Sequence, residues 1–171
     1  MSKHIVAQLA ANFARTHGFY QQFIDQCPEA LWTKKCGSGP IWQHIVHVYA
    51  AIDHLVLQEG QTPTPWPCKA ANILSFDFDA AAMVDKTAIR AYMPTMKAKA
   101  DAYIDGLTDV TLGETNAGYT SRKIHSMGAA APGKKEDCSH ALTLSVLATH
   151  AFYHFGILDA ALRDSGCKGI Y

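Results

Sequence analysis

Twenty-one consecutive residues, Cys138 to Leu158, carry no Asp, Glu, Lys or Arg. A transmembrane helix needs ~20 apolar residues, so a run of this length either enters lipid or forms the inside of a folded domain. His140, His150 and His154, with Ser139, Thr143, Ser145 and Thr149, decide between the two. Imidazoles and hydroxyls are too costly to turn toward hydrocarbon on all sides. The run therefore reads as the buried helix of a soluble protein with no membrane partner. The first twenty residues, MSKHIVAQLAANFARTHGFY, lack the continuous apolar core of a signal peptide.

A fully hidden helix must be wrapped by other elements, and three further segments have the right pattern. About Lys3–Gln26 places Ile5, Leu9, Phe13, Tyr20, Phe23 and Ile24 near one 3.6-residue stripe and stops at Cys27-Pro28. About Pro40–Glu59 opens with proline in its first turn and is followed by Gly60. About Lys86–Leu107 is preceded by Asp85 as its cap, with Pro94 inside it expected to kink it or delay its start. The uncharged run extends to about Ser139–Ser165, capped by Ser139 and ended by Gly166. No segment alternates cleanly enough to be a strand. Four helices of this length predict an all-α, four-helix-bundle architecture, with long loops at 61–84 and 108–137. At 171 residues one domain over 1–171 suffices.

Charge and cysteine content narrow the function. Lys+Arg and Asp+Glu are 15 each, so there is no basic excess to neutralise phosphates, and a nucleic-acid partner is excluded. The five cysteines form no CxxC pair and are odd in number, which fits reduced thiols in the cytoplasm.

The nine histidines are more than such a fold requires. His150 and His154 lie four apart, about 40° from each other on the apolar face of the last helix. Two buried imidazoles each keep a donor and an acceptor to satisfy, and a divalent metal takes both lone pairs at once. Separate hydrogen bonds in the core would satisfy them too. The second helix adds His44, His47 and His54 within an arc of about 80°. By the helical wheel His44 lies nearer the apolar centre than His47. A third imidazole from this helix would complete a three-ligand site with one position open.

The segments PIWQHIVHVYAAIDHLV and LATHAFYHFGILDAALRDSG resemble the DinB-like superfamily, four-helix bundles with an H…HxxxH metal triad. The second carries HxxxHxG and the terminal LRxxG at His150, His154, Gly156, Leu162, Arg163 and Gly166. The resemblance implies a metal held by His47, His150 and His154. His44 is the alternative to His47, and His54 is a candidate to orient a ligand from behind. Phe155 stands where the family has a basic or polar residue, which implies an altered pocket wall. A homodimer is also implied.

Three imidazoles suit zinc or nickel rather than magnesium or calcium. No glutamate lies between the two histidines of the last helix, so a hydrolytic base is not supplied there. Characterised members of the superfamily include thiol-dependent S-transferases and a maleylpyruvate isomerase. The resemblance thus implies a metal-dependent transferase acting on a small-molecule substrate with a low-molecular-weight thiol. The alternatives are a metal-dependent hydrolase and a non-enzymatic, stress-related metal-binding protein. Metal binding is expected to weaken below about pH 6, near the free histidine pKa of ~6.5. Trp32, Trp42 and Trp66 read as core or loop anchors, Tyr153 as packing, and Asp53 and the pair Lys134-Lys135 as solvent-facing.

Overall fold

The structure is a computed structural model and describes residues 2–78, 83–118 and 138–171. The described chain is mostly helical. Helix α1 (His4–Gln26) buries Val6, Phe13, Tyr20, Phe23 and Ile24 along one stripe. Lys3 gives it no side-chain cap. Asp109 does so from a distance, its carboxylate accepting the backbone N–H groups of His4, Ile5 and Val6 at 2.8, 2.9 and 3.1 Å. These bonds satisfy donors that the first turn of any helix leaves open. Cys27 turns extended ahead of Pro28 and ends α1 where expected.

A short helix α2 (Glu29–Trp32) leads into a two-residue hairpin, β1 (Lys35–Cys36) with β2 (Gly39–Pro40), antiparallel. Gly37 at its tip has φ +56°, a conformation that costs glycine nothing. Helix α3 (Ile41–Val56) follows at once. All its residues except His54 are buried, so it has no solvent face and is the centre of the fold. It ends three residues before the expected Glu59. Leu57 leaves the helix in extended conformation and is itself buried, and the Gln61 side chain takes the N–H of Gln58.

The segment after α3 reads in the sequence as an irregular loop. It contains a second small hairpin, β3 (Ala70–Asn72) with β4 (Asp77–Phe78), enclosing a 3₁₀ turn at Ile73–Ser75. Both hairpins are too short to show alternation, so no strand pattern was available to read. Helix α4 (Lys86–Asp105) starts on Asp85, whose carboxylate accepts the Ala88 N–H at 2.8 Å. It begins before Pro94 and runs through it. Helix α5 (His140–Asp164) is capped by Ser139 and closes at Gly166, φ +78°. The pair Lys134-Lys135 lies outside the described residues.

Helix α1 packs on α4 and α5, and α3 packs on the same two. The interior between them holds Phe13, Tyr20, Ile45, Tyr49, Met96 and Leu158, all 2 % exposed or less. Burying each such side chain contributes roughly 1.5–3 kcal/mol. Trp32 and Trp42 are buried and Trp66 packs against the core, as anchors should. Helix α5 is long and apolar enough to cross a membrane by length and composition. Its inner face is buried through Leu144, Leu147, Leu158 and Leu162. Tyr153 is 65 % exposed and Phe152 44 %, so Tyr153 does not belong to the packing expected of it.

Candidate metal centre

Helices α3 and α5 face each other, and their histidines meet. His47 Nε2 and His150 Nε2 are 3.1 Å apart. One ring nitrogen each from His47, His150 and His154 lies within 4.8 Å of the others. Tetrahedral zinc, with Zn–N of ~2.0–2.1 Å, holds its nitrogens ~3.3 Å apart. One pair is near that spacing, and the nitrogen of the third ring lies within 4.8 Å of both. The donor set is three imidazoles with no carboxylate among them. It can hold a divalent ion of the borderline class.

His44 sits beside this group and is not part of it. It is fully buried, with Nε2 2.7 Å from the Cys36 carbonyl and Nδ1 2.9 Å from His154 Nδ1. Its neighbour on the next turn, His47, donates Nδ1–H to the Ile73 carbonyl at 2.9 Å and keeps Nε2 for the cluster. The partner of the His47 ring is therefore Ile73 rather than His54. The latter stands seven residues farther on, about 10 Å along the helix axis.

Each hairpin supplies something to the cluster. The first brings the Cys36 carbonyl to His44, and the second brings the Ile73 carbonyl to His47. Phe76, between the 3₁₀ turn and β4, covers the group. Its ring centroid is 4.3 Å from His47, 4.9 Å from His44 and 5.6 Å from His154. Among the described non-glycine residues it alone has positive φ, at 59°. Left-handed backbone costs an ordinary residue of order 1–2 kcal/mol, so its surroundings must hold this one there. Nothing in the run Ser75-Phe76-Asp77 marks that conformation, and both backbone carbonyls are equally unreadable from sequence.

Burial governs the electrostatics. It lowers the pKa of His47 to about 4, against the pull of its bond to Ile73. It lowers His150 to about 4 and His154 to about 2, with the neighbouring imidazoles adding to it. His44 is lowered by burial and raised in part by the carbonyls of Cys36 and Gly39. Neutral imidazole is the ligand form. Burial thus favours the neutral ligand form in the folded cluster below the free histidine pKa.

Two neighbours, Asp53 and Phe155, depart from expectation. Asp53 is buried, at 1 % exposure, rather than solvent-facing. Its carboxylate accepts from Lys99 Nζ at 2.6 Å and from the Thr64 N–H at 2.5 Å. A hydrophobic helix face gives no hint of a lysine arriving from α4. Asp159 is engaged by Arg163 Nε at 2.8 Å and by the Ile170 N–H at 2.5 Å. Phe155 is not a pocket wall: it stacks on Phe19 at 5.1 Å and meets Tyr20 edge-on, in the α1 interface. Burial pushes the thiols of Cys27, Cys36 and Cys68 up to about 11.

A cleft of about 830 Å³ opens elsewhere, at the C-terminal end of α3, lined by Lys99, Tyr103, Glu114 and His140 among others. No member of the imidazole cluster lines it. Comparison with known proteins returns no match: no family model, no curated protein and no solved structure matches the chain.

Proposed function

We propose that this protein is a DinB-like four-helix bundle that binds one divalent metal ion, zinc or nickel, through His47, His150 and His154. The observation that carries the reading is the convergence of three imidazoles, two buried and one half-buried, with no carboxylate among them, beside the Phe76 ring. When bound, the ion favours the thiolate over the thiol of a small cofactor near neutral pH. Burial favours neutral ligand nitrogens, and Phe76 packs against the His47 and His154 rings.

The same residues favour a transferase using a low-molecular-weight thiol over a hydrolase. Hydrolysis needs a base for the proton of water. Asp53 and Asp159, the carboxylates nearest the ligands in sequence, are both committed to other partners. Burial raises the pKa of the Cys27, Cys36 and Cys68 thiols, and in this reading the thiolate nucleophile is that of a small cofactor. We place the protein in the cytoplasm as a homodimer, with the exposed Phe152 and Tyr153 on α5 as an apolar surface for the partner copy.

Metal analysis of the purified protein should give one ion per chain. Glutathione, bacillithiol or mycothiol, added to the cobalt-substituted form, should then change its visible spectrum. A silent spectrum with all three, together with thiol-independent turnover of an ester or amide, would replace this reading by the hydrolase.

A further inference from the structure

We propose that His44 is a positioning residue that fixes the proton of His154 on Nδ1, so that His154 presents Nε2 to the metal. The argument is a chain of donors and acceptors. A carbonyl oxygen only accepts, so the 2.7 Å contact to Cys36 places a proton on His44 Nε2. His44 is fully buried, and the groups that face its ring are the carbonyls of Cys36, at 2.7 Å, and Gly39 and the His154 imidazole, none of which offers a negative charge. It is therefore neutral, and its Nδ1 carries a lone pair. That lone pair lies 2.9 Å from His154 Nδ1, which must be the donor. His154 is left with its own lone pair on Nε2.

The same reasoning applies to His47. Its Nδ1–H goes to the Ile73 carbonyl at 2.9 Å, leaving Nε2 for the metal. Two of the three imidazoles are thus set by the backbone: His47 directly by the second hairpin, His154 through His44 by the first. His150 is half-buried, and its nearest ring partner is His47 Nε2 at 3.1 Å. In the metal-free site it donates Nε2–H to that lone pair. To act as a neutral ligand through Nε2 it would carry that proton on Nδ1 instead. An orienting partner behind a metal-binding histidine typically accounts for 10–100-fold in affinity. Here that partner is a second imidazole backed by a carbonyl.

The inference rests on the metal reading above, and the test separates the two. In the metal-free wild type, long-range proton–nitrogen correlation spectra should show His154 protonated on Nδ1. A proton on Nε2 instead would overturn the role of His44, whether or not the protein binds metal. Zinc titration of His44→Leu should keep one ion per chain and weaken Kd by 10–100-fold. His44→Asn, whose side-chain oxygen falls near the place of Nδ1 and can accept from His154, should recover part of that loss. Should the leucine variant fail to fold, the asparagine variant and the wild-type spectrum carry the test. Unchanged affinity in a folded His44→Leu protein refutes the relay. Complete loss of bound metal in it would make His44 a ligand. Absence of metal from the wild type under all conditions would overturn the metal reading and the positioning role with it, whereas the His154 tautomer would still be decided by the spectrum.

Discussion

Acidifying the metal-free protein should destabilise it well before its carboxylates titrate. The cause is that burial lowers the folded pKa of His47 from 6.5 to about 4. Between those values the unfolded chain binds the proton and the folded chain does not, so stability falls as pH falls through that window. At ~1.4 kcal/mol per pH unit, His47 alone costs about 2 kcal/mol between pH 7 and pH 5. His154, as deeply buried, adds a loss of the same sign, and the half-buried His150 adds a smaller one. The sum is a large part of the ~5–15 kcal/mol that holds a domain together. Urea unfolding of chelator-treated protein at pH 7, 6 and 5 measures it directly. His47→Leu should flatten the profile by removing one of the titrating groups. A wild-type stability that is flat from pH 7 to pH 5 would show that the cluster is not held neutral by burial, and the electrostatic argument would fail.

Other expectations concern single side chains. His150→Ala and His154→Ala should each abolish stoichiometric metal by elemental analysis, while His54→Ala should leave it intact. Replacement of Phe76 by Gly removes the left-handed strain together with the ring, so chemical denaturation should register a change of only ~1 kcal/mol. Metal release to a competing chelator should meanwhile speed up, and an unchanged release rate would deny Phe76 its covering role. Lys99→Met leaves the Asp53 carboxylate buried without its cation. Breaking such a pair costs ~3–5 kcal/mol when both partners are buried; with the Lys99 side chain 35 % exposed, about 2 kcal/mol is expected in the unfolding midpoint.

What could be read in advance follows from how far each signal reaches along the chain. The helices were legible because their evidence is local. The 3.6-residue stripe of α1, the Asp85 and Ser139 caps, and the Pro28 and Gly166 stops all act within a few residues of where they stand. The pairing of His150 with His154 was legible for the same reason, since one helical turn brings them together whatever the rest of the chain does. The candidacy of His44 and His47 could be narrowed to two, because both lie on one helix face.

The remainder depends on which segments meet. Whether His44 or His47 joins the α5 pair is set by how α3 is rotated against α5, and no periodicity within α3 encodes that. Tertiary packing brings His47 to His150 and sends His44 to Cys36 and His154. The tautomers are set by two carbonyls on two-stranded hairpins too short to leave a pattern in the sequence. Asp53 follows the same rule, since a carboxylate on an apolar helix is tolerable only if a cation arrives from elsewhere, and Lys99 does so from forty-six residues away. Local order was written in neighbouring residues. The chemistry of the cluster was decided by partners distant in the chain, because only the folded core excludes water and makes each buried donor find an acceptor.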